Sequence, residues 1–226
     1  MTRKQKSFFV FFMVGVFFSS PSWAQYDPKA KTILESAKAR YSAIDYYRIK
    51  FTSSLENKAY NTKESYYGSI VVQGNKYHLI LKNQEIINDG STVWTYLKDA
   101  KEVNISNYEP EEEDITPNKV YSLYEKGFKY AIEQENVAID GGTYDKIRLS
   151  PTDTKVSYHT IFLFIKKNAG ANTGAIKKWQ IYEKNGNEIT YSVYEFTKYP
   201  KVVTENPNYF YFDTKKYPGV EVVDLR

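Results

Sequence analysis

The sequence predicts a mainly β protein with two or three helices, its strands arranged as a meandering antiparallel sheet or barrel. Three observations carry that reading. Segments in which apolar residues recur at every second position follow one another at about ten-residue spacing, separated by Gly, Asn and Asp. The chain holds 22 Tyr and 13 Phe, side chains that suit half-buried strands. It has no Cys, so disulfides, thiolate metal sites and cysteine nucleophiles are all excluded, and its own packing must stabilise it.

The N-terminus reads as a targeting segment. Arg3, Lys4 and Lys6 precede an almost wholly apolar run from Ser7 to Phe18, and Ser22-Trp23-Ala24 ends it with small residues at the two positions a signal peptidase reads. A run of about 12 residues is short of the ~20 that span a bilayer. The expectation is a cleaved secretory signal over residues 1–24 and a single domain over residues 25–226, long enough for a sizeable core. Removing three basic residues from 31 Lys and Arg leaves 28 against 27 Asp and Glu, a net charge of +1. Nothing clusters the positive charge as a nucleic-acid face would require.

The elements follow in order. Asp27-Pro28 is a helix start, with Asp as cap and Pro at the first helical position. Ala30, Ile33, Leu34, Ala37 and Tyr41 then recur at helical spacing, predicting an amphipathic helix from about Pro28 to Tyr41. From Tyr46 to Glu56 the period becomes two, with Tyr47, Ile49, Phe51, Ser53 and Leu55 on one face. Strands are predicted at Glu64 to Gln73 and Lys76 to Lys82, where Tyr77, Leu79 and Leu81 share a face; Gly68 suggests a bend or bulge. Lys101 to Ser106 is a further strand, and the acidic run Glu109 to Asp114 is a solvated loop. Thr116-Pro117 opens a second, covering helix with Val120, Leu123 and Tyr124 as its apolar edge and Gly127 as its stop. Phe128 to Glu135, Val137 to Ile139 and Tyr144 to Leu149 are strands turning at Gly141-Gly142. Tyr158 to Lys166 is apolar on both faces, a central strand covered on both sides. Ala175 to Lys184 and Glu188 to Lys198 flank the hairpin signal Asn185-Gly186. Tyr209 to Phe212 and Tyr217 to Val223 supply one or two closing strands.

The stretch Ile86 to Tyr96 is the clearest hairpin, two apolar segments around Asp89-Gly90. On its second strand Trp94 and Tyr96 alternate with Val93 and Leu97, so both faces carry bulk. Such residues either fill a core or line a cavity for an apolar ligand. Catalytic signals are absent. His78 and His159 stand in predicted strands without a motif, and no Gly-x-Ser-x-Gly, His-Glu-x-x-His or Cys pair occurs. No catalytic residue, metal ligand or cofactor is expected. A carboxylate pair acting on a glycan or ester, whose geometry is three-dimensional, is the enzyme alternative.

The pattern resembles the periplasmic outer-membrane lipoprotein carriers of the LolA-like family. The amphipathic helix leads into Tyr46 to Leu55. Ile87-Asn88-Asp89-Gly90-Ser91-Thr92-Val93-Trp94-Thr95-Tyr96 is close to that family's Ser-Asp-Gly-Lys-Thr and aromatic-rich strand. Phe212 with Tyr217-Pro218-Gly219-Val220 is like its C-terminal Pro-x-Gly-Val. The resemblance implies an incomplete antiparallel β-barrel of about ten or eleven strands, with an α-helical lid over an apolar concave cavity. It implies a non-enzymatic carrier of lipoprotein acyl chains, loaded by an inner-membrane ABC-type release complex and unloaded at the outer membrane onto an unidentified acceptor; the lack of an obvious pairing helix in the sequence points to a monomer. A periplasmic carrier or sensor of another lipid is the alternative. The expected lining is Phe51, Ile70, Val72, Tyr77, Leu79, Leu81, Trp94 and Tyr96, with Ile33, Leu34, Leu123 and Tyr124 on the lid. The family often has Arg-Pro before the strand written here Tyr77-His78-Leu79. This chain has Gln73-Gly74, which leaves Lys76 as the nearest cation for a lid latch.

Overall fold

The computed structural model describes residues 26–109, 115, 118–167, 170–199, 203 and 205–226. The predicted signal segment, the acidic run beyond Glu109 and the start of the second predicted helix lie outside them. A helix, α1 (Pro28–Ser42), precedes β1 (Tyr46–Asn57), β2 (Thr62–Gln73), β3 (Lys76–Ile80), β4 (Gln84–Asn88), β5 (Thr92–Leu97) and β6 (Glu102–Asn107). There follow β7 (Phe128–Ile139), β8 (Gly142–Pro151), β9 (Tyr158–Ile165), β10 (Ile176–Glu183), β11 (Asn187–Lys198) and β12 (Glu221–Asp224). All twelve form one curved open sheet in the order β12-β6-β5-β4-β3-β2-β1-β11-β10-β9-β8-β7.

This order explains the architecture. Two meanders, β1 to β6 and β7 to β11, join through antiparallel pairing of β1 with β11. The chain between β6 and β7 must therefore pass from one side of the sheet to the far edge, and its residues Ile115, Val120, Tyr121, Leu123 and Tyr124 pack against the concave core. The chain after β11 must return past β6, where β12 pairs in parallel, and it does so over the opposite face. The two crossings thus lie on opposite faces of the sheet.

The concave face follows from strand registers. Ile49 pairs with Ile70, Ile70 with Leu79 and Leu79 with Ile86. On the other meander Trp179 pairs with Leu163 and Leu163 with Ile147. Ile147, Leu149, Ile161, Leu163, Ile165 and Trp179 are at most 1% exposed, so this half is filled. The helix fills it: Ala30, Ile33, Leu34, Ala37 and Tyr41 form its buried stripe, and its contacts run to β7 and β9. Asp27 caps it as expected, accepting from the Lys29 and Ala30 amides, and its second oxygen accepts from Ile132 N on β7 (3.2 Å), tying the helix start to the sheet edge.

Two glycines have packing roles. Gly68 sits in an unbroken β1–β2 register, so it is not a bulge. A Cβ there would lie 2.6 Å from the Phe51 ring, and the glycine makes room for that ring. Gly174, at φ +77°, lets the loop before β10 touch the helix: a Cβ would lie 2.3 Å from the Ser36 carbonyl oxygen. Gly174→Ala combines a left-handed backbone with a backbone clash, and is expected to cost about 1–3 kcal/mol in urea unfolding.

The structure corrects further sequence expectations. The second helix is a turn over residues 118–122 followed by one 3₁₀ turn, Leu123–Glu125. It is held to α1 by Lys38, whose Nζ lies 2.5 Å from Glu125. The outer face of β9 is covered by lysines rather than by a second layer: Lys146 and Lys178 stand over Phe164 at 5.7 and 4.2 Å. The sheet has twelve strands rather than ten or eleven.

Candidate functional site

The registers decide which predicted lining residues share a surface. Phe51 lies opposite Gly68, Ile70 opposite Leu79 and Val72 opposite Tyr77, so these five side chains form one concave patch. Leu81, just beyond β3, continues it and packs against the same core. Phe51 and Ile70 are fully buried; Leu81 and Ile86 are half-buried. The concave surface therefore loosens from β1 toward β4 and β5. There Val93, Thr95 and Leu97 are half-buried, while the segment around Ile115, Tyr121 and Leu123 packs on the main concave core, with Tyr121 stacked on Tyr41 of α1 (5.1 Å). Of the predicted lid, Ile33 and Leu34 belong to the packed stripe of α1, while Leu123 is half-buried and Tyr124 buried in the 3₁₀ turn.

Trp94 and Tyr96 are the exception. Ile86 pairs with Thr95 and Ile87 with Trp94, so in β5 it is Val93, Thr95 and Leu97 that fall in line with Leu79. Trp94 and Tyr96 face outward, where the C-terminal chain covers them. Tyr211 meets Trp94 (5.3 Å), Tyr217 meets Tyr96 (4.8 Å), and Phe212 stacks on Tyr217 (4.4 Å). Ile87, Val103 and Phe212 complete this second apolar cluster. The sequence did carry the clue: the aromatic run Tyr209 to Phe212 needs an apolar partner, and β5 has two apolar faces. Lys76, the latch candidate, has the outward parity and lies beside the Asp89-Gly90 turn, across the sheet from the concave cover.

One half-buried polar pair fastens the C-terminal strap. His78 Nε2 lies 2.6 Å from Glu85 Oε1, and the Tyr217 hydroxyl donates to the same oxygen (3.1 Å). The Tyr209 ring packs on His78 at 5.0 Å. Burial pushes the Glu85 carboxyl up, but the His78 interaction, the Tyr217 hydrogen bond and the Lys98 charge outweigh it and hold it below its usual 4.5. Burial and the facing carboxylate push the Tyr217 hydroxyl up to about 12. A carboxyl with a lowered folded pKa stabilises the fold fully above its unfolded pKa, and this contribution fades as pH falls through the folded value. Wild type is thus expected to lose urea stability below pH 4.5, with a smaller loss in Glu85→Gln. Equal pH dependence in both would contradict the role of this carboxyl.

Among the described residues no cluster of three or more His, Asp or Glu is placed to hold a metal ion. No helix of those residues is long and apolar enough to cross a membrane.

Comparison with known proteins agrees with this architecture. A solved structure of an uncharacterized conserved protein from Thermus thermophilus superposes with a TM-score of 0.50 at 12% identity, covering 87% of this chain and 99% of that one. The lipoprotein LppX of Mycobacterium tuberculosis gives 0.48 at 12% identity, covering 77% and 97%. A putative outer membrane lipoprotein-sorting protein domain from Vibrio parahaemolyticus gives 0.43 at 10% identity, covering 84% and 96%. No curated protein matches the sequence. The family profile described as outer membrane lipoprotein carrier protein LolA matches residues 80–213, more than half of the chain, from the end of β3 to Asp213 in the C-terminal strap. With its single curved sheet and apolar concave face, the chain belongs to the LolA family.

Proposed function

We propose that the protein is an exported, non-enzymatic carrier that shelters the acyl chains of lipoproteins in its concave face. It moves them from an inner-membrane release complex to the outer membrane. The single observation that carries this reading is the unequal filling of the concave face. The α1 half is packed solid, while the surface around Leu81, Ile86, Val93 and Leu97 is apolar and only half-buried. The chain that crosses the concave core between β6 and β7 has, over residues 118–125, little regular structure beyond one 3₁₀ turn. A cover with few backbone hydrogen bonds opens at low free-energy cost.

The energetics suit a shuttle. Sheltering a 16-carbon chain from water gains on the order of 12 kcal/mol at ~0.8 kcal/mol per CH₂. A rigid, close-packed pocket would hold such a chain too firmly to pass it on, so a loose pocket with a liftable cover favours transfer. The signal-like residues 1–24 and the family match support export to the periplasm.

The experiment uses inner-membrane vesicles that carry a triacylated lipoprotein and the release complex. Adding the mature protein with ATP is expected to bring lipoprotein into the soluble fraction as a one-to-one complex. Lipoprotein that stays with the vesicles, while a bona fide carrier releases it, would overturn the proposal. A carrier of another lipid would instead remove that lipid from the vesicles without protein.

A further inference from the structure

The concave wall holds a buried amide with only half of its hydrogen-bonding capacity in use. Asn88 ends β4 and pairs with Tyr77 on one side and with Val93 on the other. It has the parity of Ile86, so its side chain belongs to the concave face. Asn88 is 0% exposed. Its Oδ1 accepts from the Gly90 N–H at 2.6 Å, an Asx turn that tightens the β4–β5 hairpin. Its Nδ2 is buried and finds no acceptor among the described residues. The amide cannot turn to reach one, because a flip would give up the Gly90 bond and set N–H against N–H. A buried donor without a partner is costly for a fold to keep, and such groups mark places where a ligand completes the bonding.

The surroundings select the kind of acceptor. From β1 to β6 the row across the sheet reads Tyr47, Val72, Tyr77, Asn88, Val93 and Ser106, with no charged side chain. A carboxylate or phosphate placed here would be desolvated without a cation, whereas a neutral carbonyl oxygen fits a neutral amide donor. Along β5 the wall continues from Val93 to Leu97, beside Ile86 and Leu81, and all four are half-buried. In the other direction the chain turns at once, and Gly90 and Ser91 are exposed. Asn88 thus stands where the apolar wall of the loose half gives way, within one turn, to water.

We infer that Asn88 Nδ2 donates a hydrogen bond to the carbonyl oxygen of an acyl ester or amide, the linkage that joins a fatty chain to its head group. The chain runs from there past Ile86 and Val93 toward Leu81 and Leu97, and the head group leaves over Gly90 and Ser91. Tyr108, whose N–H donates to the Ser91 carbonyl (2.8 Å) and whose side chain packs on the concave core, stands at this end and shifts for the ligand to enter. The inference rests on the carrier reading and adds to it the residue that sets how deep the chain sits.

The test uses the mature protein loaded with the apolar fluorophore 1-N-phenylnaphthylamine and two displacing probes of equal length, methyl octanoate and decane. The ratio of ester to alkane affinity is expected to fall about fivefold in Asn88→Ser, the equivalent of one hydrogen bond. Serine keeps an oxygen for the Gly90 N–H and loses the amide donor. A second readout needs wild type alone, so it stands even if the variant folds poorly. In proton–nitrogen NMR spectra the Asn88 side-chain amide signal is expected to move downfield with the ester and to stay in place with decane. If the fluorophore is displaced but the ratio is unchanged by the variant, or the amide signal answers both probes alike, the carbonyl site is overturned and the carrier reading stands. Displacement by neither probe overturns both.

Discussion

Leu81→Asp is expected to abolish acyl-chain binding while leaving the fold nearly intact. Leu81 lies at the loosened end of the concave patch, with one methyl 3.1 Å from where a Gly68 Cβ would stand. Its backbone N–H donates to the Gln84 carbonyl (2.9 Å), so the turn after β3 does not depend on the side chain. Leu81 is half-buried, so a carboxylate there reaches water when the pocket is empty. A bound alkyl chain removes that water and leaves the charge unpaired. Burying a polar group without a partner costs about 1–3 kcal/mol by mutational measures, more for a charge, so affinity for an acyl probe should fall at least about tenfold. Fluorescence titration and thermal melts read the two effects separately. Unchanged binding would remove Leu81 from the site. Leu79→Asp is a poorer test, because Leu79 is only 4% exposed and the variant is expected to unfold.

Trp179→Ala is expected to cost about 3–5 kcal/mol of unfolding free energy. Trp179 is 1% exposed in the filled half of the concave face. It stacks on Tyr191 at 4.8 Å with the rings 13° apart, and Phe51 lies 6.5 Å away. Truncation leaves a large void between strands that cannot close without moving the sheet. Urea unfolding checks this, with the denaturant slope unchanged. A loss below about 1 kcal/mol would mean that this half is an adaptable cavity rather than core. The division of the concave face into a solid half and a loose half would then fail.

The strands were legible because a period of two assigns faces without knowledge of the partner. Tyr47, Ile49 and Phe51 share a face, as do Ile70 with Val72 and Tyr77 with Leu79, as the alternation predicts. The helix was legible from Asp27-Pro28 and its apolar stripe. Trp94 and Tyr96 went to the wrong face because alternation cannot rank two apolar faces of one strand; only the register with β4 and the strap over Trp94 do so. Gly68 looked like a bend because its real constraint, the Phe51 ring on the neighbouring strand, is non-local. The 3₁₀ turn at Leu123 carried a helical apolar pattern too short to nucleate a helix by itself. The unpaired Nδ2 of Asn88 left no mark in the sequence, since an Asn before Asp-Gly reads as an ordinary turn residue.

The central claim is that the loose half of the concave face carries the acyl chains of lipoproteins. Native mass spectrometry with lipid extraction, on protein purified gently from a bacterial periplasm, tests it most directly. The expected result is a population carrying one acylated protein, lost in Leu81→Asp. Bound free lipid of a single class, with no acylated protein in any preparation, would contradict the lipoprotein cargo.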